Sequence, residues 1–488
     1  MMSAAAPNRR LAEQALSRAA GAPLQGGNAL EVQIDAPRQF AAWLAAIRGA
    51  TQRVLLENYI VSDDAVGREF RDALAERARA GVQVAVVVDW VGCLGESGPA
   101  FWKPLRAAGG EVRIYNPMRL GEPFGWLSRD HRKLLVVDGL VGFVSGVCIS
   151  ARWLGDARRG IAPWRDTGVQ LRGPAVADLE AAFAQSWNAT GTPPGWSPSG
   201  NSPAAAAGSV AVRVIATQPA SGGVYRLDQM IAALARHRLW ISDAYFVGLQ
   251  PYVQSLVEAA RDGVDVRMLV PGSSDIPLVA NLSRSGYRPL LQSGIRVFEW
   301  NGSMLHAKTA VADGRWARIG SSNLNVASWL GNCEIDVAVE DAGIAGQMAA
   351  QFESDLDNAT EIVIAPRSRL RRRRILRSAP RPPQPRGTGG STGRAAASAL
   401  RIVNTLGAAM RGERVLSAES AMPTLVVALA LFVVAVVAVL WPAWVAYPIA
   451  ALMAWFALNL AIRSWRERRR ARYPPRDQAP GPPPGPER

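Results

Sequence analysis

The chain repeats itself: residues 79–90 read RAGVQVAVVVDW and residues 261–272 read RDGVDVRMLVPG. In both, a basic helix end runs into a Gly able to take the left-handed conformation that closes a helix, and then into a nearly continuous apolar run. Such a run suits a strand covered on both faces, which calls for a parallel sheet between helical layers. The surrounding order repeats too. In the first unit a strand at 53–59 precedes a helix at 65–80, whose Val66, Phe70, Leu74 and Ala78 recur at helical spacing; strand 82–90, a helix near 102–108, strand 111–115 and a later helix at 174–187 follow. The second unit places strand 239–246, helix 251–262, strand 264–270, a short helix near 278–292 and strand 295–300 in the same order. A duplicated α/β chain of 488 residues therefore calls for two related units rather than one enlarged core.

Each unit then carries the same short motif. His131, Lys133 and Asp138 stand at the same relative positions as His306, Lys308 and Asp313. The chain has only three His and three Lys, and four of those six residues lie here. Arg supplies positive charge almost everywhere else, so these positions call for an imidazole and an ammonium rather than for charge alone. Residues i and i+2 of a strand share a face, so each His and Lys project together. The apolar runs 134–137 and 309–312 would hold them on buried strands. Gly320-Ser321-Ser322-Asn323 follows the second motif, with N–H groups, hydroxyls and an amide suited to oxyanions. His237 matches no motif and is expected on the surface at a helix end.

These twin motifs resemble the HxKxxxxD signatures of the phospholipase D superfamily, and their flanks are similar to its bacterial cardiolipin synthase branch. The resemblance covers residues 28–365. It includes Glu57-Asn58-Tyr59, Trp164-Arg165-Asp166-Thr167, Arg172-Gly173-Pro174-Ala175-Val176, Asp243-Ala244-Tyr245-Phe246 and Leu269-Val270-Pro271-Gly272. It implies a duplicated phospholipase D-like α/β fold, two α/β/α halves around a shared active site. The halves fall at 28–189 and 209–365, after a loosely held leader at 1–27 and joined by a tether at 190–208.

The resemblance also implies roles. His131 is the nucleophile that forms a phosphohistidine, and His306 is the general acid and then base. Lys133 and Lys308 bind the phosphate with Ser322 and Asn323, while Glu334 and Asp166 orient the imidazoles. Asp138 and Asp313 belong to the catalytic motif and are assigned to organising it and its turn. Two ammonium groups balance charge on the phosphoryl oxygens, one imidazole attacks phosphorus and the other protonates the alkoxide. No acidic cluster with metal-ligand spacing is evident, and neither metal nor other cofactor is called for. The first half departs from the family's Gly-Gly-x-Asn with Ser145-Gly146-Val147-Cys148. A thiol is a weak donor without a carbonyl acceptor. One side of the phosphate site is therefore expected to be less well supported or its acceptor pocket altered, unless Ser145 or a water fills the gap.

The net charge of +15 comes from the C-terminal quarter. Residues 366–488 hold 21 Arg against 5 acidic residues, whereas residues 1–365 hold 34 basic against 35 acidic. The neutral body gives no compositional support for a polyanion groove, and nucleic acid is disfavoured as a partner. Residues 366–420 read as a flexible basic linker. Residues 421–462 contain no charge and are interrupted by Trp441, Pro442, Trp444, Tyr447 and Pro448. This fits a C-terminal transmembrane helical hairpin, with a re-entrant hairpin as the alternative. Arg on both flanks, including the basic tail 463–488, puts both ends in the cytoplasm. Cys93, Cys148 and Cys333 lack disulfide or metal spacing, and the N-terminus lacks the apolar core of a signal peptide. The expectation is a bacterial inner-membrane protein whose body faces the cytoplasm, with anionic phospholipid membrane as partner, phosphatidylglycerol as substrate and no obligate protein partner. The resemblance implies joining of two phosphatidylglycerols into cardiolipin and glycerol. Phospholipid hydrolysis and a membrane-bound nuclease remain open.

Overall fold

A computed structural model describes residues 5–118, 127–193, 205–276, 283–364 and 370–373, with Phe432, Leu440, Tyr447, Ala454 and Trp455. The chain divides into two compact units, Met1–Ser420 and Ala421–Arg488. Apart from those five residues the expected hairpin lies outside the described residues, as does the basic tail. Among the described residues no helix is long and apolar enough to cross a membrane.

The first unit opens with α1 (Ala5–Ala20), β1 (Gln25–Ile34) and α2 (Asp35–Arg48). It continues through β2 (Arg53–Asn58), α3 (Ala65–Arg79), β3 (Gln83–Asp89), α4 (Lys103–Ala107), β4 (Glu111–Tyr115), β5 (Lys133–Val137), β6 (Val141–Ser145), β7 (Thr167–Arg172) and α5 (Val176–Ala189). After it come β8 (Val210–Thr217), α6 (Gly223–Leu234), β9 (Arg238–Ser242), α7 (Gln250–Arg261), β10 (Asp265–Pro271), α8 (Tyr287–Gln292) and β11 (Arg296–Trp300). The last elements are β12 (Thr309–Ala312), β13 (Trp316–Gly320), β14 (Glu334–Glu340), α9 (Ala342–Asp357), β15 (Ala359–Ile364) and β16 (Leu370–Arg373).

All the strands join one sheet, in the order β16-β15-β11-β10-β9-β12-β13-β14-β8-β1-β7-β6-β5-β2-β3-β4. Read outward from the β1–β8 seam, the two sides match through an antiparallel run (β7, β6, β5 or β14, β13, β12) and a parallel triplet (β2, β3, β4 or β9, β10, β11), after which β15 and β16 extend one side alone. We call these sides the two halves. Period-2 alternation sends Leu55, Leu134 and Val136 to one face and Val54, Leu56, Leu135 and Val137 to the other, all buried. The first face packs under α5 and α9 in a single core that runs across the seam, uniting Leu179 and Phe183 with Met348 and Phe352. On the opposite face the cores are separate, one with α2, α3 and α4 and one with α1, α6 and α7.

The leader expected at 1–27 needs correction. Leu16 and Ala20 of α1 are buried against Val224, Leu227 and Ile231, and Ser17 Oγ accepts a hydrogen bond from Arg213. Arg226 donates to the Ala19 carbonyl (3.0 Å), and β1, starting at Gln25, is a seam strand. A few well-placed apolar residues suffice to dock a helix that is otherwise polar.

Candidate active site

The two motifs meet at the seam through the backbone. His131 N donates to Cys333 O (2.9 Å) and Cys333 N to Arg129 O (2.8 Å); on the other side His306 N donates to Arg165 O (2.7 Å) and Arg165 N to Met304 O (2.8 Å). Each docking delivers the next residue's carboxylate to an imidazole of the opposite half. Glu334 Oε2 lies 2.9 Å from His131 Nδ1, and Asp166 Oδ2 lies 2.7 Å from His306 Nδ1. A carboxylate on Nδ1 holds the proton there and assigns the lone pair of the neutral ring to Nε2. Glu334 is itself steadied by Ser321 Oγ (2.6 Å) and Asn332 Nδ2 (3.4 Å), and Asp166 by the Thr167 N–H (2.8 Å). Gly146 is required here: a Cβ at that position would collide with the Asp166 carboxylate.

The lysines curl back onto their own motifs. Lys133 Nζ donates to His131 O (2.5 Å), Lys308 Nζ donates to His306 O, and Lys308 Nζ lies 3.0 Å from His306 Nδ1. His131 and His306 are 4% exposed and both lysines fully buried, so charge here is poorly screened. Burial pushes Lys308 down to about 8 and lowers Lys133 too, each opposed by nearby carboxylates that include Asp166. Burial first, then the Lys308 charge, takes His306 down to about 4 against the pull of Asp166. Burial raises Glu334 to about 7, opposed chiefly by Lys133 and Ser321. An anionic phosphodiester suits such a pair of desolvated cations.

Aromatic rings wall the site, and sequence reasoning assigned them no role. Tyr59 packs on His131 (4.8 Å between ring centroids), while Trp153, Trp164 and Tyr245 surround His306 (5.4, 5.8 and 5.9 Å). Tyr59 and Tyr245 were visible just after the strand in each half; Trp153 and Trp164 gave no periodic signal.

The remaining motif residues separate from the imidazoles. Asp138 and Asp313 close the far ends of β5 and β12, seven residues past each His and about 20 Å away along an extended strand. Asp138 accepts the N–H groups of Thr51 (2.8 Å), Gln52 (2.8 Å) and Arg53 (2.7 Å); Asp313 accepts those of Arg236 (2.9 Å), His237 (2.8 Å) and Arg238 (3.0 Å). Both stand at positive φ (54° and 50°), and their N–H donors outweigh burial and hold both carboxyls below the usual range. They organise the turns and do not touch the reacting centre. Ser322, expected on the phosphate, instead gives its hydroxyl proton to Asp336, which Arg318 Nη1 also holds (2.8 Å). Asn323 is buried, with no hydrogen-bond partner on Oδ1 among the described residues, and keeps an acceptor available. Cys148, in the equivalent place, is buried, and burial raises its thiol against the fields of Lys133 and Lys308. His237 is exposed.

Comparison with known proteins agrees with this geometry. Residues 227–356 match the family described as "Cardiolipin synthase, PLD-like domain". The chain is 32% identical to cardiolipin synthase A of Pseudomonas aeruginosa over 372 residues, covering 74% of this chain and 73% of that one. It is also 32% identical to the cardiolipin synthase of Halalkalibacterium halodurans over 351 residues, 71% of this chain and 69% of the relative. In fold it is similar to the crystal structure of a phosphatidylserine synthase of Haemophilus influenzae, with TM-score 0.56 and 16% identity over 72% of this chain and 92% of that one. The chain belongs to the cardiolipin synthase family of the phospholipase D superfamily.

Proposed function

We propose that this enzyme is a phosphatidyltransferase that joins two phosphatidylglycerols into cardiolipin and glycerol. The supporting observation is the exchanged pair of imidazole–carboxylate contacts, His131 with Glu334 and His306 with Asp166, each beside a buried lysine. In the reaction, His131 Nε2 attacks phosphorus of the first lipid. The bond to the glycerol headgroup breaks, and the departing oxygen takes a proton from His306. A terminal hydroxyl of the second phosphatidylglycerol then gives its proton to His306 while its oxygen attacks phosphorus. The P–N bond breaks and His131 is restored. One phosphodiester is exchanged for another, so no activated donor is consumed.

Lys133 and Lys308 hold the phosphoryl oxygens, with the Asn323 amide N–H as a further donor. His306 is neutral at pH 7 without substrate, because burial and Lys308 depress it. An anionic phosphodiester that offsets the lysines raises its proton affinity, so His306 takes a second proton from water at Nε2 as the first lipid binds, gives it to the departing glycerol oxygen and regains it from the second lipid's hydroxyl. We place the body at the cytoplasmic face of the inner membrane, held there by the uncharged run 421–462. The Arg tract that precedes it attracts anionic lipid, at about 1 kcal/mol per residue near the surface.

The test uses purified full-length protein with phosphatidylglycerol liposomes, without nucleotide, and mass spectrometry of the products. Cardiolipin plus glycerol is the expected result. Phosphatidic acid alone, or cleavage only of DNA or RNA, overturns the reading. His131→Ala should abolish a denaturation-stable radiolabelled lipid adduct, and His306→Ala should slow glycerol release. An adduct kept by His131→Ala and lost by His306→Ala reverses the two roles.

A further inference from the structure

Alternation along the strand turns His131 and Lys133 to one face of the sheet and Arg132 to the other, where it lies fully buried under α5. A guanidinium has five N–H donors, and here each has an acceptor. Nε donates to Glu334 O (3.1 Å), Nη1 to Ala182 O (2.6 Å) and Ser186 Oγ (3.2 Å), and Nη2 to Gln185 Oε1 and Thr217 O (both 3.2 Å). Glu334 and Thr217 are paired residues at the end of the β14–β8 ladder, across the seam from Arg132. We propose that Arg132, with the carboxyl pair Glu57 and Asp130 behind it, is a positioning residue that holds the Glu334 main chain so that its carboxylate meets His131.

Three contacts close a ring around this point: His131 N on Cys333 O, His131 Nδ1 on the Glu334 carboxylate, and Arg132 Nε on the Glu334 carbonyl. Fixing both ends of Glu334 relative to one dipeptide leaves its carboxylate little freedom. The charge is balanced locally. Glu57 Oε1 lies 3.9 Å from Arg132 Nη1, and Asp130 Oδ1 accepts the Arg132 N–H (3.3 Å). Burial, and for Asp130 also repulsion from Glu57, raises both carboxyls, while the Arg132 charge pulls both back down. A buried cation with carboxyl groups beside it and complete hydrogen bonding is tolerable; with fewer bonds it is not. In the second motif Leu305, Ala307 and Ser242 stand in the corresponding places. There the Asp166 main chain is held by its own neighbour: Arg165 Nη1 donates to the Asp166 carbonyl (2.6 Å) while Arg165 pairs with Asp355 (2.8 Å).

This rests on His131 being a reacting imidazole, and not on which lipid is joined. Arg132→Lys keeps the charge but supplies one ammonium in place of the five-donor fan. In liposomes its kcat should fall about 30- to 100-fold with KM within about threefold, and Arg132→Lys/Glu334→Gln should be no slower than Glu334→Gln alone. A readout independent of turnover is available because the chain has three His. In 15N-histidine spectra the His131 ring signals should move while those of His306 stay. Should Arg132→Lys fail to fold, Ser186→Ala removes one of the five bonds and should give the same selective shift with about a threefold loss of kcat. Unchanged kcat, multiplicative losses in the double variant, or equal movement of both catalytic rings overturns the proposal.

Discussion

His131 and His306 occupy the same backbone frame in very different company. On the lysine side, Asn58 pairs with Lys133 across β2 and β5, and both polar atoms of its amide are buried without a hydrogen-bond partner among the described residues. The second half puts Asp243 in that place, one residue beyond the Ser242–Thr309 pair. Asp243 accepts the N–H groups of Tyr245 (3.0 Å) and Leu324 (2.8 Å), so a carboxylate secures the turn that carries Asn323. In the first half the matching N–H, that of Ile149, goes to the Ile60 carbonyl (3.1 Å), and Cys148 precedes it. Behind the motifs the contrast reverses, with Glu57, Asp130 and Arg132 on one side and Ser242, Leu305 and Ala307 on the other. Among the described residues Tyr59 packs on His131, whereas Trp153, Trp164 and Tyr245 pack around His306. Duplication supplies two matched imidazoles; unequal filling of the frame can give them unequal jobs, as a nucleophile and a proton donor require.

The exchange of carboxylates is the sharpest test of that contrast. Asp166→Asn and Glu334→Gln should each reduce lipid transfer about 10³- to 10⁴-fold by disturbing the tautomer of the imidazole across the seam. The losses should differ in kind. With a p-nitrophenyl phosphodiester, whose leaving group needs no proton, Asp166→Asn should recover most of its adduct-forming rate, whereas Glu334→Gln should not. Equal recovery by both variants would break the division of labour.

Where the halves are alike, they should respond alike. Asp138→Ala and Asp313→Ala each strip the acceptor from three backbone N–H groups, with a cost of about 2–3 kcal/mol. Chemical denaturation should show similar losses, with adduct formation retained by the protein that stays folded. A loss confined to one variant would show that the turns are not equivalent parts of one frame.

What could be read in advance follows from locality. The strands β2, β3 and β4, their counterparts and both motifs were legible because apolar runs, helical spacing and rare residue types are local signals. β1 was harder, since its place is set by pairing with β7 and β8, more than a hundred residues away. Glu334 and Asp166 were recognisable as carboxylates for the imidazoles, but which serves which depends on docking across the seam. Arg132 and Glu57 looked like ordinary polar residues beside apolar runs; only packing under α5 makes them a buried network. Ser322 matched an oxyanion-binding pattern, yet Asp336, fourteen residues later, takes its proton.

The smallest predicted effect concerns Asp243→Asn, which gives the second half the residue type of the first. Burial raises the Asp243 carboxyl to about 7, against the pull of the Leu324 N–H and Lys308. Its ordinary value is 3.8. Between these values the folded protein holds a proton that the unfolded chain has released, so this group's contribution favours folding at low pH and fades as pH rises toward 7. Glu334 acts in the same direction, and His306, depressed to about 4, acts oppositely below its ordinary value. The total slope is therefore mixed, and the informative quantity is wild type minus variant. That difference should shrink by about 1 kcal/mol between pH 5 and pH 7.5, well below the limit set by the full shift because water and local relaxation soften burial. A second reading comes from Lys308, which Asp243 helps keep charged: without the carboxylate the alkaline limb of the activity profile should move to lower pH. Parallel stability curves for the two proteins, with an unmoved alkaline limb, would mean that Asp243 is ionised throughout and that the two halves differ less in electrostatics than in shape.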